Sequence, residues 1–302
     1  MDETFLATVV AAHGRSYEIS RTIPWHEPPW HAVTRGKRHD YACGDVVEAR
    51  ATAPGQAVIE RHQPRSSLFW RADGVRQKLI AANVDQVVIV TAVEPPFSSE
   101  LVTRCLVAAE HQGIEALIVL NKCDLKDGLD AARARLKPFL AAGYRVLGLS
   151  AKRDVAPLEP LFAGKRSLLV GQSGMGKSTI INALVPEARA RTGEISRALE
   201  SGRHTTTEAR LYPYRQGWII DSPGLQTFGL AHVPLEALEA CFPELRPALG
   251  ECRFRDCRHD AEPGCALRAL AERGAISPER WQQYRRIRAE LEALARRSAT
   301  GR

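Results

Sequence analysis

No stretch of this chain approaches the ~18 consecutive apolar residues that a membrane-crossing helix requires. Its first residues, Met1-Asp2-Glu3-Thr4, carry neither a basic start nor a long apolar core, so no secretory signal is expected. Internal repeats and low-complexity tracts are absent as well. The 7 cysteines are an odd number, and three of them crowd into residues 252–265. That argues against a disulfide framework and points to reduced thiols, a cytoplasmic setting and a metal site.

What is present is a chain of 302 residues, 44% of them apolar. At roughly 100–200 residues per domain, this length suggests two or three domains. The apolar content argues against global disorder. A net charge of +7 and a pI near 9.2 suit an anionic partner. The charge is uneven: residues 268–302 hold nine arginines against four glutamates, a net +5.

Residues 1–75 read as short β segments, among them 4–10, 46–48 after a Gly44-Asp45 turn, and 56–61. Pro24, Pro28, Pro29, Pro54 and Pro64 break up the rest. The spacing fits a small Greek-key barrel of the OB type and equally an SH3-like barrel. From about residue 80 the texture changes. Compact apolar runs at 85–92, 115–120, 144–149, 167–170 and 218–220 alternate with helical stretches at 100–111, 129–142 and 177–184. Such alternation predicts a parallel sheet covered on both faces. After Phe228 no strand signal follows, and 235–245 and 266–297 read as helices around a Cys-rich loop. The expected division is an N-terminal β-barrel over 1–75, an α/β domain over 76–232 and a mainly α zinc-binding domain over 233–302.

Gly171-Gln172-Ser173-Gly174-Met175-Gly176-Lys177-Ser178 matches the P-loop pattern G-x-x-x-x-G-K-[ST] in full, between a strand and a helix. Its glycines let the backbone wrap a phosphate with N–H groups turned inward at a helix N-terminus. Lys177 is expected at the β- and γ-phosphates and the Ser178 hydroxyl on Mg²⁺. A second tetrad, Asn121-Lys122-Cys123-Asp124, follows the apolar run 115–120 and chooses the base. A carboxylate at Asp124 accepts two hydrogen bonds from guanine's ring N–H and exocyclic amine, a donor pair that adenine lacks. Asn121 supports that loop and the Lys122 stem covers the base. Ser150-Ala151-Lys152 ends a further strand, with the Ala151 N–H expected at the guanine oxygen.

Asp221-Ser222-Pro223-Gly224 fits the D-x-x-G loop that senses the γ-phosphate. Asp221 is expected to hold Mg²⁺ through water and the Gly224 N–H to meet the γ-phosphate. Within 202–207, Thr206 or Thr207 is expected to complete the Mg²⁺ shell, and His204 is the nearest candidate for orienting the hydrolytic water. The catalytic set is thus Lys177, Asp221, Gly224 and His204. Many GTPases place Gln right after D-x-x-G, but here that position is Leu225, so intrinsic turnover should be slow. The base-reading loops precede the phosphate-reading loops, the reverse of a Ras-like GTPase, so the domain reads as circularly permuted. Its second switch then runs directly into the last domain and is placed to move it on hydrolysis.

Cys252-x4-Cys257-x-His259-x5-Cys265 supplies the four ligands of a closed, structural zinc site. Cys43, Cys105, Cys123 and Cys241 read as packing residues. In the last helix, Trp281, Tyr284, Ile287, Leu291 and Leu294 recur at helical spacing as a packed stripe. Arg285, Arg286, Arg288, Arg296 and Arg297 form a basic face suited to RNA.

Together and in this order, these motifs resemble the bacterial ribosome small-subunit-dependent GTPase A family over nearly the whole chain. Ala81–Asp85, 202–207, Asp221–Gly224, Cys252–His259 and Glu262–Cys265 carry further likeness. The resemblance implies an OB identity for the first domain, GTP contacts at 121–124 and 171–179, including Thr179, and one zinc on Cys252, Cys257, His259 and Cys265. It also implies a monomer that hydrolyses GTP to GDP and phosphate under stimulation by the small ribosomal subunit, late in that subunit's maturation, with rRNA contacts through the flanking domains. An alternative is an rRNA-binding assembly scaffold with regulatory nucleotide binding and little turnover. The presence of Lys177, Ser178 and Asp221 argues against that loss of chemistry. Against a P-loop ATPase or transport factor stand Asn121–Asp124 and the lack of a membrane segment.

Overall fold

The computed structural model describes residues 3–24, 26–36, 40–74, 76–188 and 208–300. The chain opens with five strands: β1 (Thr4–Ala12), β2 (Ser16–Ser20), β3 (Trp30–Thr34), β4 (Val46–Ala53) and β5 (Gln56–His62). β1 pairs both β2 and β4, and β3 runs parallel to β5, so the sheet closes in the order β1-β2-β3-β5-β4. Alternate side chains face inward, and Val9, Tyr17, Ile19, Val47 and Ile59 fill a small core of their own. This five-stranded Greek-key closure is the OB arrangement, the choice that strand spacing left open. A bulge between Val9 and Ala11 re-aims β1, and Ala11 then pairs with Arg210 of the central domain. Across that seam Arg210 donates to Glu18 at 2.7 and 2.8 Å, while His13 contacts both Glu18 and Glu208.

A separate hairpin, β6 (Leu68–Ala72) with β7 (Gln77–Ala82), leads into the central sheet. That sheet comprises β8 (Gln86–Ala92), β9 (Glu115–Asn121), β10 (Arg145–Gly148), β11 (Arg166–Val170), β12 (Arg210–Tyr214) and β13 (Gly217–Asp221). Its order is β10-β9-β8-β11-β13-β12, parallel except for the β12–β13 pair. Every residue of β8 is buried, as a central strand covered on both faces requires. From β8 the chain winds one way to β9 and β10. From β11 it winds the other way to β13 and β12. The order therefore reverses between β8 and β11, and open α/β sheets bind ligands beyond the strand ends at such a point. α1 (Ser99–His111), α2 (Leu129–Ala141), the single-turn α3 (Glu159–Phe162) and α4 (Lys177–Leu184) connect the strands.

The C-terminal region departs from the two long helices expected. Residues 235–248 form three short 3-10 segments, Leu235–Ala237, Glu239–Cys241 and Pro243–Ala248, in which Pro243 and Pro247 cannot donate to a helical ladder. The stretch 266–297 splits into α5 (Ala266–Glu272) and α6 (Pro278–Thr300) at Gly274, whose φ of +75° ends the first helix. The apolar stripe of α6 is as expected: Tyr284, Ile287 and Leu291 are buried, with Trp281 and Leu294 half-buried beside them.

α6 docks on α1 through polar contacts. Arg104 bonds Glu290 at 2.5 Å, Arg286 bonds Glu100 at 2.6 Å, and the Thr103 hydroxyl donates to Gln283 at 2.5 Å. At their centre Arg280, only 1% exposed, makes a two-pronged pair with Glu244 at 2.7 and 3.0 Å. Its guanidinium also lies 4.7 Å from the Phe242 ring centroid. Truncating one member of a buried pair strands the other charge, so Arg280→Ala should cost about 3–5 kcal/mol. A thermal-unfolding scan checks this; a melting temperature unchanged from the parent chain would refute it.

Candidate nucleotide site and metal centre

β11 ends at Val170 and α4 begins at Lys177, so residues 171–176, the turn expected to bind phosphate, lie at the sheet's reversal point. Gly176 has φ +93°, and a Cβ there would lie 2.3 Å from Asn121 Nδ2. Only glycine permits this approach. Lys177 is buried, and its Nζ donates back to the carbonyls of Gly171 at 2.9 Å and Gln172 at 3.2 Å. Desolvation lowers its pKa from the usual lysine value, against the pull of Asp221. An ammonium so placed gains by meeting phosphate oxygens. Ser173 and Gly174 face solvent, leaving the turn open to a ligand.

The two loops expected to read the base and the P-loop converge on Asn121. Its Nδ2 donates to the Met175 carbonyl at 3.0 Å, and its Oδ1 accepts from the N–H groups of Lys122 at 2.8 Å and Ala151 at 2.9 Å. The Ala151 N–H, expected at a guanine oxygen, thus serves here to tie its loop to Asn121. Ser150 donates to Asp124 at 2.5 Å, and this bond is the first cause holding the Asp124 carboxyl below the ordinary carboxylate range. Lys122 adopts φ +61° and sends its Nζ to the Glu94 carbonyl at 2.6 Å.

β13 delivers Asp221 beside the P-loop, where the Ser178 hydroxyl donates to its Oδ2 at 3.4 Å. One hydroxyl and one carboxylate are the hard oxygen donors that Mg²⁺ takes. Gly224 lies so close to Ser173 that an added Cβ would sit 3.1 Å from the Ser173 Cα. The Leu225 N–H bonds the Gly171 carbonyl at 3.0 Å while its side chain is buried, so no polar group from this position faces the nucleotide. His204, Thr206 and Thr207 lie outside the described residues.

Several contacts around the site were not legible from motifs. Gln172 accepts from the Ser98 N–H at the start of α1 at 2.7 Å. Arg71 donates to the Thr227 carbonyl at 2.6 Å, and Arg104 reaches the Phe228 carbonyl at 3.4 Å while holding Glu290 of α6. The stretch after D-x-x-G is thereby joined to the C-terminal helix through α1. No short-range pattern announces such pairs, since their members are brought together only by the sheet and its crossovers.

The ligand atoms of Cys252, Cys257, His259 and Cys265 all lie within 4.8 Å of one another. His259 Nδ1 stands 3.5 Å from Cys252 Sγ and 3.4 Å from Cys265 Sγ. Tetrahedral zinc with ordinary Zn–N and Zn–S bonds sets that spacing at about 3.6 Å. The other ring nitrogen of His259 bonds Glu239 at 2.9 Å, the carboxylate–histidine arrangement that orients a metal-binding imidazole. The residues therefore fit a structural metal. Glu239, in a 3-10 turn 20 residues upstream, had no signature in the sequence.

The RsgA GTPase family model matches residues 62–231. The chain belongs to the RsgA GTPase family. It is a GTP hydrolase with a circularly permuted fold. It is 50% identical over 284 residues to the small ribosomal subunit biogenesis GTPase RsgA of Nitrosospira multiformis, covering 94% of this chain and 90% of that one. The protein of the same name from Nitrosomonas europaea is 49% identical, with 92% and 89% covered. Among solved structures, YjeQ from Thermotoga maritima superposes with a TM-score of 0.70 at 28% identity, covering 96% of this chain and 99% of that one. YloQ, described as a circularly permuted GTPase, gives 0.68 at 26% identity, with 96% of each chain covered. No helix among the described residues of this RsgA-family chain is long and apolar enough to cross a membrane.

Proposed function

We propose that this RsgA-family GTPase acts in late maturation of the small ribosomal subunit in the cytoplasm, as a monomer whose GTP hydrolysis the subunit stimulates. The observation that carries this is the near-full-length likeness to relatives named for small ribosomal subunit biogenesis. In this reading Asp124, with Asn121, Lys122 and Ser150–Lys152, reads guanine. Residues 171–179 cradle the phosphates, and the Gly224 N–H meets the γ-phosphate. Ser178, Asp221 and Thr206 hold Mg²⁺, which neutralises charge on the phosphates when bound. Zinc on Cys252, Cys257, His259 and Cys265 fastens the C-terminal loop. The barrel (1–75) and the C-terminal domain (233–302) flank the GTPase domain (76–232) and contact rRNA.

With Leu225 buried where water-orienting glutamine commonly stands, the free chain turns over slowly and needs the subunit to complete the site. His204 is the chain's own candidate for orienting the water. The test is steady-state hydrolysis of GTP and of ATP, with and without purified small subunits. Expected is strong stimulation of GTP hydrolysis alone. Absence of stimulation removes the ribosomal role, and equal use of ATP removes the guanine reading.

A further inference from the structure

Much of the basic face expected on α6 is paired with carboxylates of the same molecule, although Arg285, Arg286 and Arg296 stay exposed. Arg288, only 13% exposed, pairs with Glu239 and Glu292, Arg286 with Glu100, Arg285 with Asp260, and Arg296 with Glu292. A second group of outward-facing cations lies in the loop that runs through the metal cluster. Among the described residues, no carboxylate pairs with Arg253, Arg255 or Arg258, and all three are exposed. Of the acidic groups in the same loop, Glu262 and Asp260 are occupied, while Asp256 is exposed among the three arginines. Glu262 accepts the N–H groups of Arg258 at 2.9 Å and Asp260 at 3.0 Å, and Asp260 accepts from Arg285 at 2.5 Å.

Phe254 stands among these arginines. It is 41% exposed and is the one aromatic among the exposed large hydrophobics of the described residues. Its backbone is held: the Phe254 carbonyl accepts from the Cys257 N–H at 3.3 Å, and the Arg253 N–H bonds the Gly264 carbonyl at 3.1 Å. The Arg253 guanidinium lies 5.5 Å from the Phe254 ring centroid. An aromatic ring kept in water on a stapled turn, beside cations without carboxylate partners, has the makings of a stacking platform for a base whose phosphates the arginines neutralise. One ring is too small an apolar surface for a protein interface or a lipid bilayer.

We propose that the Phe254 tip, with Arg253, Arg255 and Arg258, is a binding site for an unpaired nucleotide of RNA, with the base stacked on the phenyl ring. This deepens the rRNA-contacting reading above and rests on it. The site recognises a flipped or single-stranded base rather than a duplex, because a paired base has no free face to offer.

The test uses the full-length, zinc-loaded chain. Binding is measured to purified small subunits by co-sedimentation with a GTP analogue, and to short single-stranded RNA by fluorescence anisotropy. F254A should weaken both about 5- to 100-fold. F254W should keep or tighten them, whereas F254L should bind as weakly as F254A, since it keeps an apolar side chain but loses the ring. Zinc content and basal GTP turnover should stay at parental levels in all three. The double variant R253A/R255A should lower the slope of affinity against salt by about 2. F254A binding within twofold of the parent, or F254L binding like the parent, overturns the proposal while leaving the ribosomal role standing. If the parent fails on subunits yet binds single-stranded RNA through Phe254, the ribosomal reading falls and the stacking site remains.

Discussion

An Asp124→Asn chain is expected to lose GTP affinity by about a hundredfold or more, and to gain affinity for xanthosine triphosphate. Asp124 is held in place by Ser150 at 2.5 Å, with Arg153 at 3.9 Å on its other oxygen. Its lowered pKa keeps it ionised at neutral pH, so it only accepts hydrogen bonds. Guanine offers two donors on one edge, and hydrogen bonds to a charged group are stronger than neutral ones. Asparagine would set its own N–H₂ against guanine's amine, a donor facing a donor. Xanthine carries a carbonyl at that position and restores the match. Nucleotide titrations of both proteins measure this. Equal GTP affinities, or no gain for the xanthine nucleotide, would take Asp124 out of base reading. The same direction of shift gives a pH prediction. Because the folded-state pKa is depressed, guanine affinity should persist to a lower pH than an ordinary carboxylate would allow and be lost as pH falls through that depressed value.

Removing the metal, or replacing Cys257 by Ala, should unfold the loop from 251 to 265 while sparing basal GTP turnover. Apart from its ligands the loop brings few apolar groups to a core, and Phe254 faces water. Metal coordination must supply what burial does not, and structural zinc sites contribute about 10–16 kcal/mol of apparent binding energy in small modules. α6 should stay docked, since Arg280–Glu244 and Arg104–Glu290 do not pass through the metal. α5 should loosen, because the Cys265 Sγ accepts from the Arg268 N–H and caps that helix. Limited proteolysis before and after chelation reads the effect as new cleavage between 251 and 272, with elemental analysis counting one zinc per chain. A metal-free chain that resists protease as well as the parent would refute the structural role.

On α6, tertiary pairing overrides what the charge along the helix suggests. Five arginines along one helix look like an RNA-binding face, yet the carboxylates that neutralise several of them sit at Glu100 on α1, Glu239 in a 3-10 turn and Asp260 in the metal loop. None of these is a helical neighbour, so charge counting over a window could not find them. The 3-10 segments at 235–248 escape sequence patterning for a related reason. Their apolar residues recur at spacings close enough to a helix, and prolines at 243 and 247 tip the balance only once tertiary packing holds the turns.

By itself, the sequence determined the kind of nucleotide chemistry, the permuted order of its loops and a four-ligand metal set. The chemistry and the ligand set reside in short segments, as in Gly171–Ser178, Asn121–Asp124 and Cys252–Cys265, and the permutation in the order of those segments. Tertiary structure alone decided that the barrel closes with β3 parallel to β5, that Asn121 ties three loops into one site, and that Glu239 backs His259. It also decided which of the exposed arginines on α6 have carboxylate partners. These contacts join residues far apart in the chain, and only the closed sheets and the docking of α6 on α1 bring their partners within bonding distance.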